Sequence, residues 1–162
     1  MLPLAGVTVV ALEHAVAAPF ATRQLADLGA RVIKIERPGV GDFARNYDES
    51  VAGMASYFVW LNRSKESVAL DVKTPEGRRI LHELVDGADV LVQNLGPGAV
   101  ERLGLGDVRS LLPPIGLTGS EARMDPVPAL GQHTTAVLAE LGHSPADIDR
   151  LRAAGTLGKA TS

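Results

Sequence analysis

From residue 7 to residue 103, short apolar runs rich in β-branched residues alternate with segments of helical periodicity. That alternation leaves few folds open. Val7–Leu12 reads as a buried strand. Pro19 can open a helix, because its missing N–H costs nothing in a first turn. Phe20, Ala21, Leu25 and Leu28 then recur at helical spacing, and Gly29 can close the helix with a left-handed cap. Arg31–Glu36 is the second strand, Pro38–Val51 a loop, and Tyr57, Phe58 and Leu61 one face of a short helix. Ser67–Asp71 is the third strand. Thr74-Pro75-Glu76 supplies a cap, a first-turn proline and an acid facing the helix dipole. Ile80, Leu81, Leu84, Val85 and Ala88 continue that helix along one buried face. Asp89–Gln93 is a fourth strand, and the turn Gly96-Pro97-Gly98 opens a short helix, Ala99–Leu103. The expected fold is α/β, a Rossmann-like parallel sheet with flanking helices. Right-handed crossovers place every strand's carboxyl end on one edge.

The pattern changes after Gly106. Residues 110–131 carry four prolines and three glycines, which excludes a long helix. Gly131–Leu141 reads as an amphipathic helix with Val137, Leu138 and Leu141 inward. Ser144-Pro145-Ala146-Asp147 starts a last helix whose apolar face is Ile148, Leu151 and Ala154. Gly158–Ser162 reads as a frayed tail. Two regions are therefore expected, residues 1–106 and a return segment, 107–162, packed on the same domain.

Composition excludes several classes. The net charge of −3 does not indicate nucleic-acid binding. Without cysteine there is no disulfide framework and no thiolate metal site, and no metal is expected. No apolar run reaches membrane-spanning length, and the first residues lack a basic leader pattern. A cytoplasmic protein without membrane or nucleic-acid partners is the expectation.

Open α/β sheets bind ligands at the carboxyl ends of their strands. The first strand end leads through His14 to the small residues Ala15–Ala18 and a helix N-terminus. The second delivers Arg37 beside a Pro-Gly turn, the third Leu70–Lys73, and the fourth Asn94 and Leu95, with Arg102 one short helix later. Three cations and glycine-exposed backbone donors on one edge suit an anionic, long and partly apolar ligand. Arg37 also has a plainer use, a surface pair with Asp42, as Lys73 has with Glu76. The first strand is followed by "LEHAVAAPF" instead of G-x-G-x-x-G, which counts against a dinucleotide-dependent dehydrogenase. Neither a Walker A motif nor a G-x-S-x-G elbow is present.

Three segments together resemble the class III CoA-transferases: "LADLGARVIKIERPGVGD", "NRSKESVALDVKTPEG" and "NLGPGAVERLG". That group includes formyl-CoA:oxalate and carnitine CoA-transferases and, as relatives, α-methylacyl-CoA racemases. The resemblance is close over Pro3–Leu105 and returns over about Pro113–Gly155. It implies coenzyme A or an acyl-CoA as ligand. Ala15, Val16 and Ala17 would line the thioester and pantetheine path, and Arg37 would meet the adenosine phosphates. Leu70 and Lys73 would flank the adenine and phosphates, with Asn94, Leu95, Arg102 and Leu103 completing the cleft. Val16 stands where some transferases carry a glutamine near the thioester.

The family's chain normally continues after the segment matched by "ERLGLG", whereas here "DVRSLLPPIGLTG" follows at once. The stretch that this resemblance implies is missing carries the aspartate that attacks the acyl-CoA to give a mixed anhydride, then an enzyme-CoA thioester. No nucleophile is therefore expected. Asp107, Asp125 and Glu13 are the acids that could stand in. The reading is a CoA-binding fragment of an acyl-CoA:carboxylate CoA-transferase, internally truncated. The alternatives are a non-catalytic interaction or structural module and a racemase-like fragment. Full-length members form interlocked dimers. Here a homo-oligomer of different topology is expected, through apolar surface that the missing segments would have covered.

Overall fold

The computed structural model describes residues 1–96, 98–106 and 128–158. Four strands, β1 (Thr8–Leu12), β2 (Arg31–Glu36), β3 (Lys65–Ala69) and β4 (Val90–Gln93), form one sheet in the order β3-β2-β1-β4. Every pairing is parallel. The helices are α1 (Ala17–Asp27), α2 (Ser56–Asn62), α3 (Pro75–Asp86), α4 (Ala99–Arg102), α5 (Thr134–Glu140) and α6 (Pro145–Ala153). The expected α/β class and all four strands are present.

Strand alternation sorts the core into two layers. Val9, Ala11 and Val32 pack with Ala18, Leu25 and Ala26 of α1. Val10, Leu12, Ile33, Ile35 and Val68 face the opposite way and pack with Ile80, Leu81 and Leu84 of α3, Val137 and Leu138 of α5, and Ile148 and Leu151 of α6. Burying each such side chain contributes roughly 1.5–3 kcal/mol. Docking of these faces, more than propensity, therefore holds such short helices. Gly29 has φ +99, and a Cβ there would meet that of Leu2 at 2.5 Å, so the stop after α1 requires glycine.

Chain order explains where ligands can enter. From β1 the chain steps through α1 to β2 and onward to β3, then returns through α3 to β4 on the other side of β1. The reversal between β1 and β4 is a topological switch point, which opens a crevice at the carboxyl edge.

The C-terminal segment covers the outer edge of β3. His133 donates its backbone N–H to the Ser67 carbonyl at 3.2 Å, and the Ser67 N–H reaches His133 Nδ1 at 3.2 Å. Ala69 donates to Thr134 Oγ1 at 3.1 Å, Asp71 to the Thr156 carbonyl at 2.8 Å, and Gly158 to the Ala69 carbonyl at 3.1 Å. An otherwise open strand edge is thus consumed.

Several local expectations need correction. β3 begins at Lys65 and ends at Ala69, two residues earlier than Ser67–Asp71, because buried Lys65 belongs to the strand. The loop after β2 contains a turn of 3-10 helix, Phe43–Asn46, capped by the Asp42 side chain. Tyr57 is exposed, whereas Phe58 and Leu61 are buried. Ala154 is exposed, and α5 is confined to Thr134–Glu140. Gly158 is buried against Ala69 and Pro38 and so is not part of a frayed tail. The proline-rich expectation over residues 110–127 lies outside the described residues. Among the described residues no helix is long and apolar enough to cross a membrane.

At the start of α3, Thr74 Oγ1 accepts the Gly77 N–H at 3.0 Å. Helix propensity alone would make Gly77→Ala stabilising by about 1 kcal/mol. A Cβ at Gly77, however, would lie 1.9 Å from the Asp71 carbonyl oxygen, which is rigid backbone. Gly77→Ala is expected to lower stability by about 1–3 kcal/mol net in urea denaturation. A variant as stable as the parent would show that the α3 entry can yield.

Candidate functional site

The carboxyl ends of the strands surround a cleft of about 300 Å³. Leu12, Glu13 and His14 come from the end of β1, and Ile35, Glu36 and Arg37 from the end of β2. Leu70, Asp71, Val72 and Lys73 follow β3, Leu95 follows β4, and Gly41 and Asp42 close it from the loop after β2. The walls are largely apolar. Arg37 and Lys73 are exposed and make no ion pair among the described residues. Asp42 is buried on Lys34, so the expected surface pair with Arg37 does not form. Lys73 makes no pair with Glu76 either, although its backbone N–H donates to Asp71 Oδ1 at 2.9 Å.

Of the residues expected to bind the ligand, Arg37, Leu70, Lys73 and Leu95 line this cleft. Ala15, Val16 and Ala17 continue from His14 into α1 without lining it, and Val16 and Ala17 are exposed. No side chain caps α1. Asn94 clamps the backbone opposite: its Oδ1 accepts the His14 N–H at 3.0 Å and its Nδ2 donates to the His14 carbonyl at 2.8 Å. Arg102 is exposed on α4. Leu103 packs on the core, and its carbonyl lies 2.7 Å from His82 Nε2.

Beneath the cleft lies a buried ionic network. Lys34 Nζ lies 2.9 Å from Asp42 Oδ2 and 3.5 Å from Glu13 Oε1. Lys65 Nζ donates to Glu13 Oε1 at 2.7 Å, to the Pro19 carbonyl at 3.0 Å and to Asn62 Oδ1 at 3.1 Å. Thr22 donates to Glu13 Oε2 at 2.7 Å. Glu36 holds Arg45 in a two-pronged pair at 2.7 and 2.8 Å and accepts from Ser67 Oγ and the Asp42 N–H. Burial pushes Glu13 up, but the ammonium groups of Lys65 and Lys34 outweigh it and hold the carboxyl below its ordinary value. Burial likewise opposes ionisation of Glu36, and Arg45 reverses the balance. Lys65 is pushed down to about 8 by burial, only partly offset by Glu13. At neutral pH Glu13 and Glu36 are therefore ionised and Lys65 is still largely protonated.

This network was not anticipated from the sequence, apart from Glu13 as a possible nucleophile. Glu13 is 3% exposed and fully engaged, so it is not placed to attack a ligand. Asp107 and Asp125 lie outside the described residues. The signal available was a lysine at position 34 inside an apolar strand, two residues before Glu36 and eight before Asp42. An unpaired charge there is untenable.

The chain matches the CoA-transferase family III over residues 4–115. It is 45% identical to succinyl-CoA:glutarate CoA-transferase of Mus musculus over 118 residues, covering 71% of this chain and 27% of the relative. It is 45% identical to formyl-CoA:oxalate CoA-transferase of Bradyrhizobium diazoefficiens over 102 residues, covering 62% and 24%. Among solved structures, a hypothetical protein from Mycobacterium tuberculosis superposes with a TM-score of 0.60 at 42% identity, over 65% of this chain and 29% of that one. A CAIB/BAIF family protein from Brucella suis gives 0.61 at 40% identity, over 65% and 29%. The chain thus spans about a quarter of the length of the curated relatives it matches.

The network predicts acid sensitivity. A carboxyl whose folded value lies below its unfolded one stabilises the fold above the unfolded value, and that contribution is lost as pH falls. With Glu13 and Glu36 both held below 4.5, the melting temperature should hold steady down to about pH 5 and fall beneath 4.5. Glu36→Gln should melt lower at neutral pH and descend less steeply in acid. Parallel curves for variant and parent would remove Glu36 from the cause.

Proposed function

Because the chain belongs to CoA-transferase family III, we propose that it is a coenzyme A-binding portion of an acyl-CoA:carboxylate CoA-transferase and does not itself carry the nucleophile. The observation that supports this most is the rim of the cleft. Arg37 and Lys73 are cations without a partner among the described residues, set over apolar walls of Leu12, Ile35, Leu70, Val72 and Leu95. Coenzyme A has the matching division, with phosphates at one end and a long, weakly polar arm. Arg37 meets the adenosine phosphates in bidentate fashion and Lys73 adds a point charge. Leu70 and Leu95 flank the ligand, and Ala15–Ala17 guide its thioester end past the start of α1. Asn94, Arg102 and Leu103 complete the β4 side.

Covalent transfer needs a free carboxylate beside the thioester. Glu13, Glu36 and Asp42 each serve an internal ion pair. Asp71 is the one acid lining the cleft that makes no ion pair among the described residues, and its Oδ1 is occupied by the Lys73 amide. The sequence joint at Gly106 fits an internally shortened transferase, so binding without turnover is the expected behaviour.

A second reading, an interaction module, has its own observation in favour. Phe43, Tyr47, Tyr57 and Trp60 are all exposed, between 44% and 51%, and all fall between β2 and β3. They stand as two ring pairs, Phe43–Tyr47 and Tyr57–Trp60, and exposed apolar side chains of this kind can mark a docking surface.

Titration calorimetry with coenzyme A separates the two. The first reading expects binding, with Arg37→Ala weakened by about 1.5–3 kcal/mol, roughly ten- to hundredfold in Kd. Incubation with an acyl-CoA should leave the protein mass unchanged. Equal affinity in variant and parent would remove Arg37 from the site, and a stoichiometric adduct on Asp71 or another acid would overturn the missing nucleophile. Absence of binding heat, together with a concentration-dependent dimer in sedimentation, would select the second reading.

A further inference from the structure

Resting on the coenzyme A reading and deepening it, we propose that Asp42 is a positioning residue for the thioester end of the ligand, acting by setting the backbone turn between β1 and α1. That turn is irregular. Ala15 has φ +66, in the left-handed region that a residue with a Cβ seldom adopts. The amides of His14 and Ala15 have no main-chain partner among the described residues, and each is held instead by a side chain distant in sequence. Asn94 takes the His14 N–H, and Asp42 Oδ1 takes the Ala15 N–H at 3.2 Å.

Asp42 is itself fixed from several directions. Oδ1 also accepts the Ala44 N–H at 3.0 Å, Oδ2 faces Lys34 Nζ at 2.9 Å, and the Asp42 N–H donates to Glu36 Oε2 at 2.9 Å. Lys34 further lies 3.4 Å from the carbonyl of Glu13, the residue just before the turn. The Asp42 side chain has no exposed surface and its charge is answered by Lys34, so it has little to offer a ligand directly. What it controls is where Ala15 sits and, through Ala15, the path into α1. Arg37 and Lys73 belong to the ends of β2 and β3, so the turn and the cationic rim occupy different parts of the cleft mouth. The strand ends that carry Arg37 and Lys73 are held without Asp42, by the Leu70 N–H on the Glu36 carbonyl at 2.9 Å and the Asp71 N–H on the Thr156 carbonyl at 2.8 Å, so loosening the turn leaves the phosphate end in place.

Asp42→Ala tests this. Should the single variant fail to fold, the double variant Lys34→Met, Asp42→Ala removes both charges, a replacement that buried pairs commonly tolerate. Two measurements are made on parent and variant: amide hydrogen exchange, and calorimetry with coenzyme A and with adenosine 3′,5′-bisphosphate. Exchange at Ala15 should accelerate about tenfold or more while Val10 and Ile33 stay protected. The coenzyme A Kd should rise about tenfold while that of the bisphosphate moves less than about twofold. Unchanged exchange at Ala15, or equal weakening of both ligands, would overturn the proposal. A parent that binds neither compound overturns the ligand reading and with it the thioester role, while Ala15 exchange still decides whether Asp42 sets the turn.

Discussion

The ion pair between Lys34 and Asp42 is the contact on which the carboxyl edge of the sheet depends. Both side chains are at most 1% exposed, so neither charge has water to fall back on. Removing one partner of such a pair typically costs about 3–5 kcal/mol, because the other remains buried and uncompensated. The pair therefore obliges the loop after β2 to fold back over the strand ends. Once Asp42 is in place it caps the 3-10 turn at Ala44, fixes Ala15 and draws its own amide onto Glu36. Glu36 brings Arg45, whose guanidinium lies 4.0 Å from the Phe58 ring centre, and so seats α2. An apolar replacement of equal volume could match the stability. It could not satisfy the two irregular backbone amides of Ala15 and Ala44, and buried amides need partners.

A second constraint acts at the opposite margin. β3 is an edge strand, and its outer N–H and C=O groups must be paired or left open to other chains. Residues 131–158, distant in sequence, supply that pairing through His133, Thr134, Thr156 and Gly158, and their helices fill the core face that α3 leaves uncovered. The return segment is therefore part of the sheet's own stability, whatever lies between it and α4.

What could be read in the sequence follows from these two constraints. The β2 span Arg31–Glu36, the Thr74 and Ser144 caps and the stop at Gly29 were legible, because each rests on residues adjacent in the chain. β3 was misplaced by two residues because a lysine at its start reads as solvent-facing until Glu13, just past the end of β1, is known to lie 2.7 Å away. Gly158 read as tail because its partners, Ala69 and Pro38, come from the far half of the chain. Tyr57 read as core-facing because it stands four residues before Leu61, yet in the first turn of α2 it is exposed while Phe58 and Leu61 are buried. At the site, Arg37, Leu70, Lys73 and Leu95 were legible from the logic of strand ends. The network beneath was not, since buried charges announce themselves only through their partners.

That network also determines what the cleft presents to an approaching ligand. Glu36 and Arg37 are neighbours, yet Glu36 is buried against Arg45 and Ser67 while Arg37 projects at the rim. Beneath the floor, Lys34, Lys65 and Arg45 stand against Glu13, Asp42 and Glu36, three charges of each sign, so the floor contributes almost no net field. The sign of the potential at the mouth is then set by Arg37 and Lys73, with Asp71 the nearest opposing charge on the wall. A chain with net charge −3 thus keeps a locally cationic entrance by neutralising its own acids first. Exposed charges act through a Debye length of about 8 Å at physiological ionic strength. The attraction is accordingly local: on the coenzyme A reading it would hold phosphates that have arrived at the rim and give little long-range steering. Specificity for the rest of such a ligand would then have to come from the apolar walls and from the fixed backbone at the start of α1.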